Sequence, residues 1–193
     1  KDFPYTFSLS AHTHDQAHVF VDTSRGWLQE TPHHHLIHGT SCGSWWGGNF
    51  DEVGIPTTQM SDGGPNNYSL ITFDGSKYDV EFRVPRRSPG YQMNIWLPDR
   101  IPAADTGNSA VVANVFAGSR KSQVEMRVDG AAAWTPMRQF TGKDPFYLKT
   151  IERQNIFLSK IAQLKGVTDI DRKFKHEVAR DFADVIRGLP EPS

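Results

Sequence analysis

The sequence has almost no cysteine and no long hydrophobic run. Cys42 is the only cysteine among 193 residues, so an internal disulfide and a four-cysteine zinc site are excluded. Free cysteines usually behave as small buried side chains, and we expect Cys42 to do so. No stretch approaches the roughly 20 consecutive apolar residues of a membrane span. Residues 1–7 lack the basic and apolar regions of a signal peptide, which leaves the cellular compartment open.

An excess of charge of one sign is also missing. Lys and Arg number 21 and Asp and Glu number 22, which gives a formal net charge of −1. Binding to a phosphate backbone is driven by clustered positive charge, so the composition predicts no nucleic-acid partner. Hydrophobic residues make up 37% of the chain, enough for a packed core in one large domain or two small ones.

Residues 68–140 show short β-like runs separated by turn signals. Residues 69–73 and 77–84 flank Asp74-Gly75-Ser76, and the second run alternates apolar with polar residues, which predicts a hairpin. Further strands are predicted over residues 91–97, 111–116 and 124–128. This many short strands at this spacing predict a small antiparallel sandwich or barrel.

The last fifty residues carry helical signals. Asp144-Pro145 is typical of a helix start, and apolar residues then recur at helical intervals up to Gly166. Thr168 and Asp171 resemble a capping box for a second helix that ends at Gly188. The sequence therefore predicts an α+β fold, mainly an antiparallel β-sandwich-like domain with a C-terminal helical pair.

Seven of the eight histidines lie in the first 38 residues. His12 and His14 follow an apolar run over residues 3–9 that predicts a strand, and in an extended segment side chains two residues apart project to the same side. Imidazole is the commonest metal ligand near neutral pH. A His-x-His pair nevertheless supplies only two ligands, whereas a catalytic metal site needs three or more.

The wider context of the two histidines carries a family resemblance. The string Ala11-His12-Thr13-His14 resembles the last metal-ligand motif of the calcineurin-like metallophosphoesterases, a G-H-x-H sequence on the loop after a late sheet strand. Residues 33–48, 54–56, 60–68 and 92–98 look like the segment after the catalytic domain in a bacterial subfamily of those enzymes. The combined resemblance covers about residues 7–98 and continues more weakly over residues 111–134.

The resemblance implies a two-metal phosphoesterase with a C-terminal β-rich domain. Carried over residue by residue, His12 and His14 would be ligands of two divalent metal ions, which supply and stabilise a hydroxide that attacks phosphorus. Residues 1–30 would be the end of the catalytic domain, including a remnant of its sheet. Residues 31–193 would be the C-terminal domain, divided into a loop-rich His/Trp segment (31–67), a β-sandwich-like part (68–140) and the helical pair (141–193).

Several partners and a location are implied in the same way. The substrate of the intact enzyme would be a phosphate ester, and the C-terminal domain would pack against its own catalytic domain. Multidomain bacterial phosphoesterases of this kind are often exported, which favours a periplasmic or secreted location.

The sequence also departs from the family pattern. Ala11 and Asn67 stand where the family has glycine, and both changes are small. The earlier motifs D-x-H, G-D-x-x-D and G-N-H-[DE] have no counterpart in these residues. Since two histidines cannot fix two divalent ions, we predict that the chain is the C-terminal portion of a longer enzyme and is inactive alone.

Alternatives remain for the other aromatic and histidine residues. His33, His34, His35 and His38 fit a surface strand with incidental metal affinity, a substrate pocket or a domain contact. The pair 45–46, two tryptophans, fits either a loop anchor or a platform for a sugar or base. A binding module for carbohydrate or an envelope polymer would show an exposed aromatic strip on a sheet face. A structural protein would hold one zinc ion with its clustered histidines, without catalysis.

Overall fold

The computed structural model describes residue 3, residues 5–44 and residues 58–187, with side chains up to residue 181. Within those residues nine short strands precede two helices. The elements are β1 (Phe7–Ser10), β2 (Ala17–Val21), β3 (His33–Ile37), β4 (Tyr68–Asp74), β5 (Lys77–Arg83), β6 (Met93–Trp96), β7 (Val112–Val115), β8 (Glu125–Met126), β9 (Thr135–Pro136), α1 (Pro145–Lys165) and α2 (Arg172–Arg187). Short 3₁₀ helices span Thr23–Arg25 and Ala103–Asn108.

The first three strands form one mixed sheet. Its order is β1-β3-β2, with β1 parallel and β2 antiparallel to the central β3. Alternate residues of β3 are buried, namely His34 and Leu36, because successive side chains of a strand point to opposite faces. β1 and β2 precede residue 30 and β3 follows it, so this one sheet contains residues from both sides of the predicted domain boundary.

Three two-stranded antiparallel ribbons follow. The predicted hairpin is confirmed as β4 and β5, paired from Tyr68 opposite Arg83 to Asp74 opposite Lys77. Gly75 takes a left-handed φ of 59° in the turn between them, which a glycine adopts without steric cost. The β6–β7 and β8–β9 pairs complete the β-rich region, in which Phe82 and Phe116 are buried with ring centroids 5.7 Å apart.

The C-terminal helical pair is confirmed. The Asp144 carboxylate accepts a hydrogen bond from Tyr147 N at 2.6 Å, and Gly166 ends α1 in a left-handed conformation, as the sequence predicted. The predicted capping role of Thr168 is wrong. Asp171 is the capping side chain instead, accepting from Phe174 N at 2.7 Å, so α2 begins three residues later.

The α+β class is confirmed, and the described residues contain no closed barrel. The two helices pack through one apolar cluster, which consists of Leu158, Ala162, Phe174 and Val178. In the part of the chain that the structure describes, no helix combines the length and apolar content needed to cross a membrane.

Candidate functional site

The two histidines of the candidate metal motif lie on the loop between β1 and β2. Both have left-handed backbone conformations, with φ of 94° for His12 and 59° for His14. The loop is therefore not extended, and the rule that side chains two residues apart project to the same side of a strand does not apply to His12 and His14. Non-glycine residues with positive φ are uncommon and occur preferentially at functional sites. Ala11 has no such conformation, so the alanine in place of the family glycine causes no strain.

His14 is held by a carbonyl group of a distant segment. Its Nδ1 lies 2.5 Å from Gly43 O, and because a carbonyl oxygen only accepts, Nδ1 carries the proton. In a neutral ring the lone pair then lies on Nε2. Metal-ligating histidines almost always donate their other ring N–H to a carbonyl or carboxylate in this way. His14 thus has the orientation and tautomer of a ligand that binds through Nε2.

The rest of this loop is tied to the same distant segments. Gln16 Oε1 accepts from Gly39 N at 2.7 Å, and Gln16 N donates to Asp62 Oδ2 at 2.8 Å. Asp62 Oδ1 accepts from Gly64 N at 2.8 Å. Burial raises the pKa of Asp62 even though these two backbone N–H groups lower it. The loop after β1 is therefore fixed by Gly39, Gly43 and Asp62 and not by its own strand alone.

The donor set around His14 does not complete a metal centre. Among residues 5–44 and 58–181 no three His, Cys, Asp or Glu side chains come together in a group able to hold an ion. His12 is exposed and lies two positions before His14. Two divalent ions require more ligands than these two rings supply, so the described residues fit a partial site only.

A second feature is a row of hydroxyl and imidazole groups along one face of β1 and β3. Thr6 Oγ1 lies 2.8 Å from His33 Nδ1, and Ser8 Oγ lies 2.7 Å from His33 Nε2. The same Ser8 Oγ lies 2.7 Å from His35 Nδ1, and Ser10 Oγ lies 3.0 Å from His35 Nε2. Both ring nitrogens of each histidine are thus hydrogen bonded within the sheet.

His34 lies on the opposite face and is buried, with 8% of its surface exposed. Its Nδ1 is 2.6 Å from Tyr78 Oη and its Nε2 is 2.8 Å from His18 Nδ1. Burial, and next the nearby charges of His18 and His33, lower the pKa of His34 to about 4. The surface-strand interpretation is therefore wrong for His34, because β3 is the central strand of its sheet and this side chain is buried.

An aromatic cleft opens where the N-terminal end of β1 meets the β4–β5 turn. Its volume is about 590 Å³. Five aromatic side chains line it, namely Tyr5, Phe7, Trp27, Phe73 and Tyr78. The Trp27 ring is fixed by a hydrogen bond of 2.8 Å from Nε1 to Thr31 O. The cleft lies on the described surface next to the His33 ring, whose centroid is 5.0 Å from that of Trp27.

Other residues considered from the sequence lie in different places. Cys42 is exposed, so its predicted burial is wrong: it lies on the loop whose Gly43 carbonyl binds His14. Trp45 and Trp46 lie outside the described residues, as does the Gly188 helix end. His38 is bonded through Nε2 to Ser69 Oγ at 2.8 Å and joins β3 to β4. The aromatic cleft was not found from sequence, because its residues come from four separate segments.

The comparisons with known proteins identify the family. The family model described as "C terminal of Calcineurin-like phosphoesterase" matches residues 35–177, well over half of the chain. That range contains Gly43 and begins after His12 and His14. Neither the curated proteins nor the solved structures gave a match. On the strength of the matched range, together with the ordered motifs described above, the chain belongs to the family of calcineurin-like phosphoesterase C-terminal regions.

Proposed function

We propose that this chain is the C-terminal portion of a metal-dependent phosphoesterase and carries its last metal-ligand loop. His12 and His14 contribute to a site for two divalent ions whose other ligands lie outside these 193 residues. Phosphate ester hydrolysis belongs to the intact protein, and this chain alone is inactive. Family membership supports the C-terminal assignment, and the incomplete donor set among the described residues supports inactivity.

The observation that carries the ligand assignment is the His14–Gly43 hydrogen bond. The donor is in the motif loop, and the acceptor is inside the range that matches the family. The C-terminal region thereby sets the tautomer and direction of a ring in the active-site loop. Bound divalent ions would supply a hydroxide nucleophile and charge stabilisation. Because the described ligands do not complete the site, we assign no step of hydrolysis to this chain by itself.

Metal content and activity of the 193-residue chain test this proposal. After equilibration with Zn²⁺ and Mn²⁺ and washing, elemental mass spectrometry should find fewer than two ions per chain. Hydrolysis of bis(p-nitrophenyl) phosphate with Mn²⁺ should not exceed the rate without protein. Two ions per chain that are lost together in His12→Ala, or metal-dependent turnover, would contradict the assignment of the remaining ligands to other residues.

Nitrogen NMR of the histidine rings tests the ligand geometry separately. We expect His14 to carry its proton on Nδ1 and its Nε2 resonance to shift when Zn²⁺ is added. His176 on α2 is the control, and its resonances should not shift at the same Zn²⁺ concentration. A proton on His14 Nε2 would overturn the assignment of this nitrogen as the ligand.

A binding role is the second candidate function. Residues 5–44 and 58–140 would hold a carbohydrate or an envelope polymer, outside the cytoplasm, while packing against the catalytic domain of the same protein. The cleft lined by five aromatic side chains favours this role, because exposed aromatic surface is what such a module needs. Retention of the chain by an insoluble glycan, with no metal dependence, tests it against the catalytic assignment.

A further inference from the structure

We propose that the aromatic cleft is a binding site for an uncharged saccharide. This inference rests on the binding role above and names its site and ligand class. The cleft has the volume of a small-molecule site, about 590 Å³, within the usual range of roughly 300–1,000 Å³. It is independent of His12 and His14, which are on the loop at the other end of β1.

The lining of the cleft has no charge to pair with an anion or a cation. None of the described residues that line it is Asp, Glu, Lys or Arg. Its polar side chains include the hydroxyl groups of Thr6, Thr31 and Ser76, and both ring nitrogens of His33 are already bonded to Thr6 and Ser8. A phosphate or a uronic acid would be desolvated there without a cationic partner, which is costly. The lining therefore fits a ligand that carries hydroxyl groups and no charge.

The arrangement of the rings offers single ring faces and no slot between parallel rings. The rings of Phe7 and Tyr78 contact each other, with centroids 4.4 Å apart and an angle of 37° between their planes. The rings of Trp27 and His33 are 5.0 Å apart at 38°. Neither pair leaves a parallel slot into which a planar base would insert. A pyranose instead needs a single ring face against its axial C–H groups and hydrogen-bonding groups around its edge.

Two features place the ligand at the surface. Tyr5 and Phe73 at the rim are 73% and 64% exposed, so the ligand reaches them without displacing other described side chains. Trp27 is half-buried, and its Nε1–H is already bonded to Thr31 O, so its ring face is presented in one fixed orientation. A pre-ordered ring lowers the entropy cost of binding. Trp27 is therefore the expected main stacking surface, with Tyr5 and Phe73 as secondary contacts.

Affinity electrophoresis of the 193-residue chain in native gels tests the proposal. The gels contain soluble neutral polysaccharides, namely a β-glucan, xyloglucan, mannan or dextran, and polygalacturonate serves as the charged comparison. We expect retardation by at least one neutral polymer and none by polygalacturonate. Trp27→Ala should weaken binding by about tenfold, equivalent to about 1.4 kcal/mol. Trp134→Ala is the matched control, because Trp134 is exposed and lies outside the cleft.

Tyr5→Ala protects the test against a folding defect in Trp27→Ala. Tyr5 is on the rim and largely exposed, so its removal should weaken binding by severalfold and leave the far-ultraviolet circular dichroism unchanged. Equal retardation of the wild type, Trp27→Ala and Tyr5→Ala would overturn the assignment of the cleft as the saccharide site and would leave the proposed binding role in place. No retardation by any of the four neutral polymers would overturn both. Self-association that is lost in Tyr5→Ala, without glycan binding, would identify the occupant as a second copy and overturn the proposal.

Discussion

Acidification should destabilise the chain through His34, the buried histidine of β3. The pKa of His34 in the folded chain is about 4, whereas a histidine in an unfolded chain has a pKa of about 6.5. The folded state therefore binds this proton more weakly than the unfolded state does. The contribution to stability is complete above about pH 6.5 and is lost as the pH falls towards about 4.

The size of the effect follows from the two pKa values. Proton linkage predicts a loss of about 2 kcal/mol between about pH 7.5 and about pH 5 from His34 alone. The residue is only 8% exposed, so solvent screens little of this difference. His18, which is hydrogen bonded to His34, acts in the same direction because burial lowers its pKa too. Tyr78 Oη, on the other side of the ring, is neutral in this pH range.

Urea unfolding of the wild type and of His34→Gln at the two pH values measures this contribution. Gln has no charge to gain, so the fall in the free energy of unfolding should be smaller in the variant by about 2 kcal/mol. Leu164→Ala, at an exposed position of α1, should keep the pH dependence of the wild type. The ring resonances of His34 should also titrate with a pKa of about 4. A His34 pKa of about 6.5, or the same pH dependence of stability in His34→Gln as in the wild type, would refute the reasoning.

Three further predictions concern single substitutions, each measured by urea unfolding. Leu158→Ala should lower the free energy of unfolding by about 2–5 kcal/mol, because it leaves a cavity between the two helices. Leu164→Ala, at a position 83% exposed, should change it little. Equal effects of the two substitutions would contradict the assigned packing. Asp144→Ala should cost about 1 kcal/mol by removing the α1 cap, and Asp129→Ala, in an exposed turn, is its control. Gly43→Ala should lower the free energy of unfolding, because its Cβ would lie 2.5 Å from the Thr58 carbonyl oxygen and φ is 58° at this position. An unchanged free energy of unfolding would contradict this close contact.

Local signals were sufficient for the hairpin and for α1. The Asp74-Gly75 turn and the Asp144-Pro145 start depend on conformations that a few neighbouring residues decide, and both lie where the sequence placed them. The start of α2 was different, because Thr168 and Asp171 are both good capping residues three positions apart. Only the packed structure decides which side chain reaches an unpaired N–H, and that is Asp171.

The site depends on contacts that no local pattern contains. The alternation of β3 correctly separated His33 and His35 from His34, but it did not show that β3 is a central strand. The pairing of β1 with β3 joins residues 27 positions apart, such as Phe7 and His34. The His14–Gly43 bond likewise spans 29 positions. The assignment of His12 and His14 as ligands stays a prediction, carried by motif resemblance and by this one bond.

The row of hydroxyl and imidazole groups from Thr6 to Ser10 restricts which ring nitrogens of His33 and His35 carry a proton. Ser8 has one hydroxyl hydrogen and two imidazole neighbours. If Ser8 donates this hydrogen to His35 Nδ1, His33 Nε2 must donate to Ser8. If Ser8 donates to His33 Nε2, His35 Nδ1 must donate to Ser8. When Ser8 donates its hydrogen within the row and both rings are neutral, both rings carry their proton on the same nitrogen, either Nε2 or Nδ1. We therefore expect a change at one end, such as Thr6→Val, to shift the balance between the two arrangements in both rings, including His35, which Thr6 does not contact. The two histidines form one unit with two collective proton arrangements.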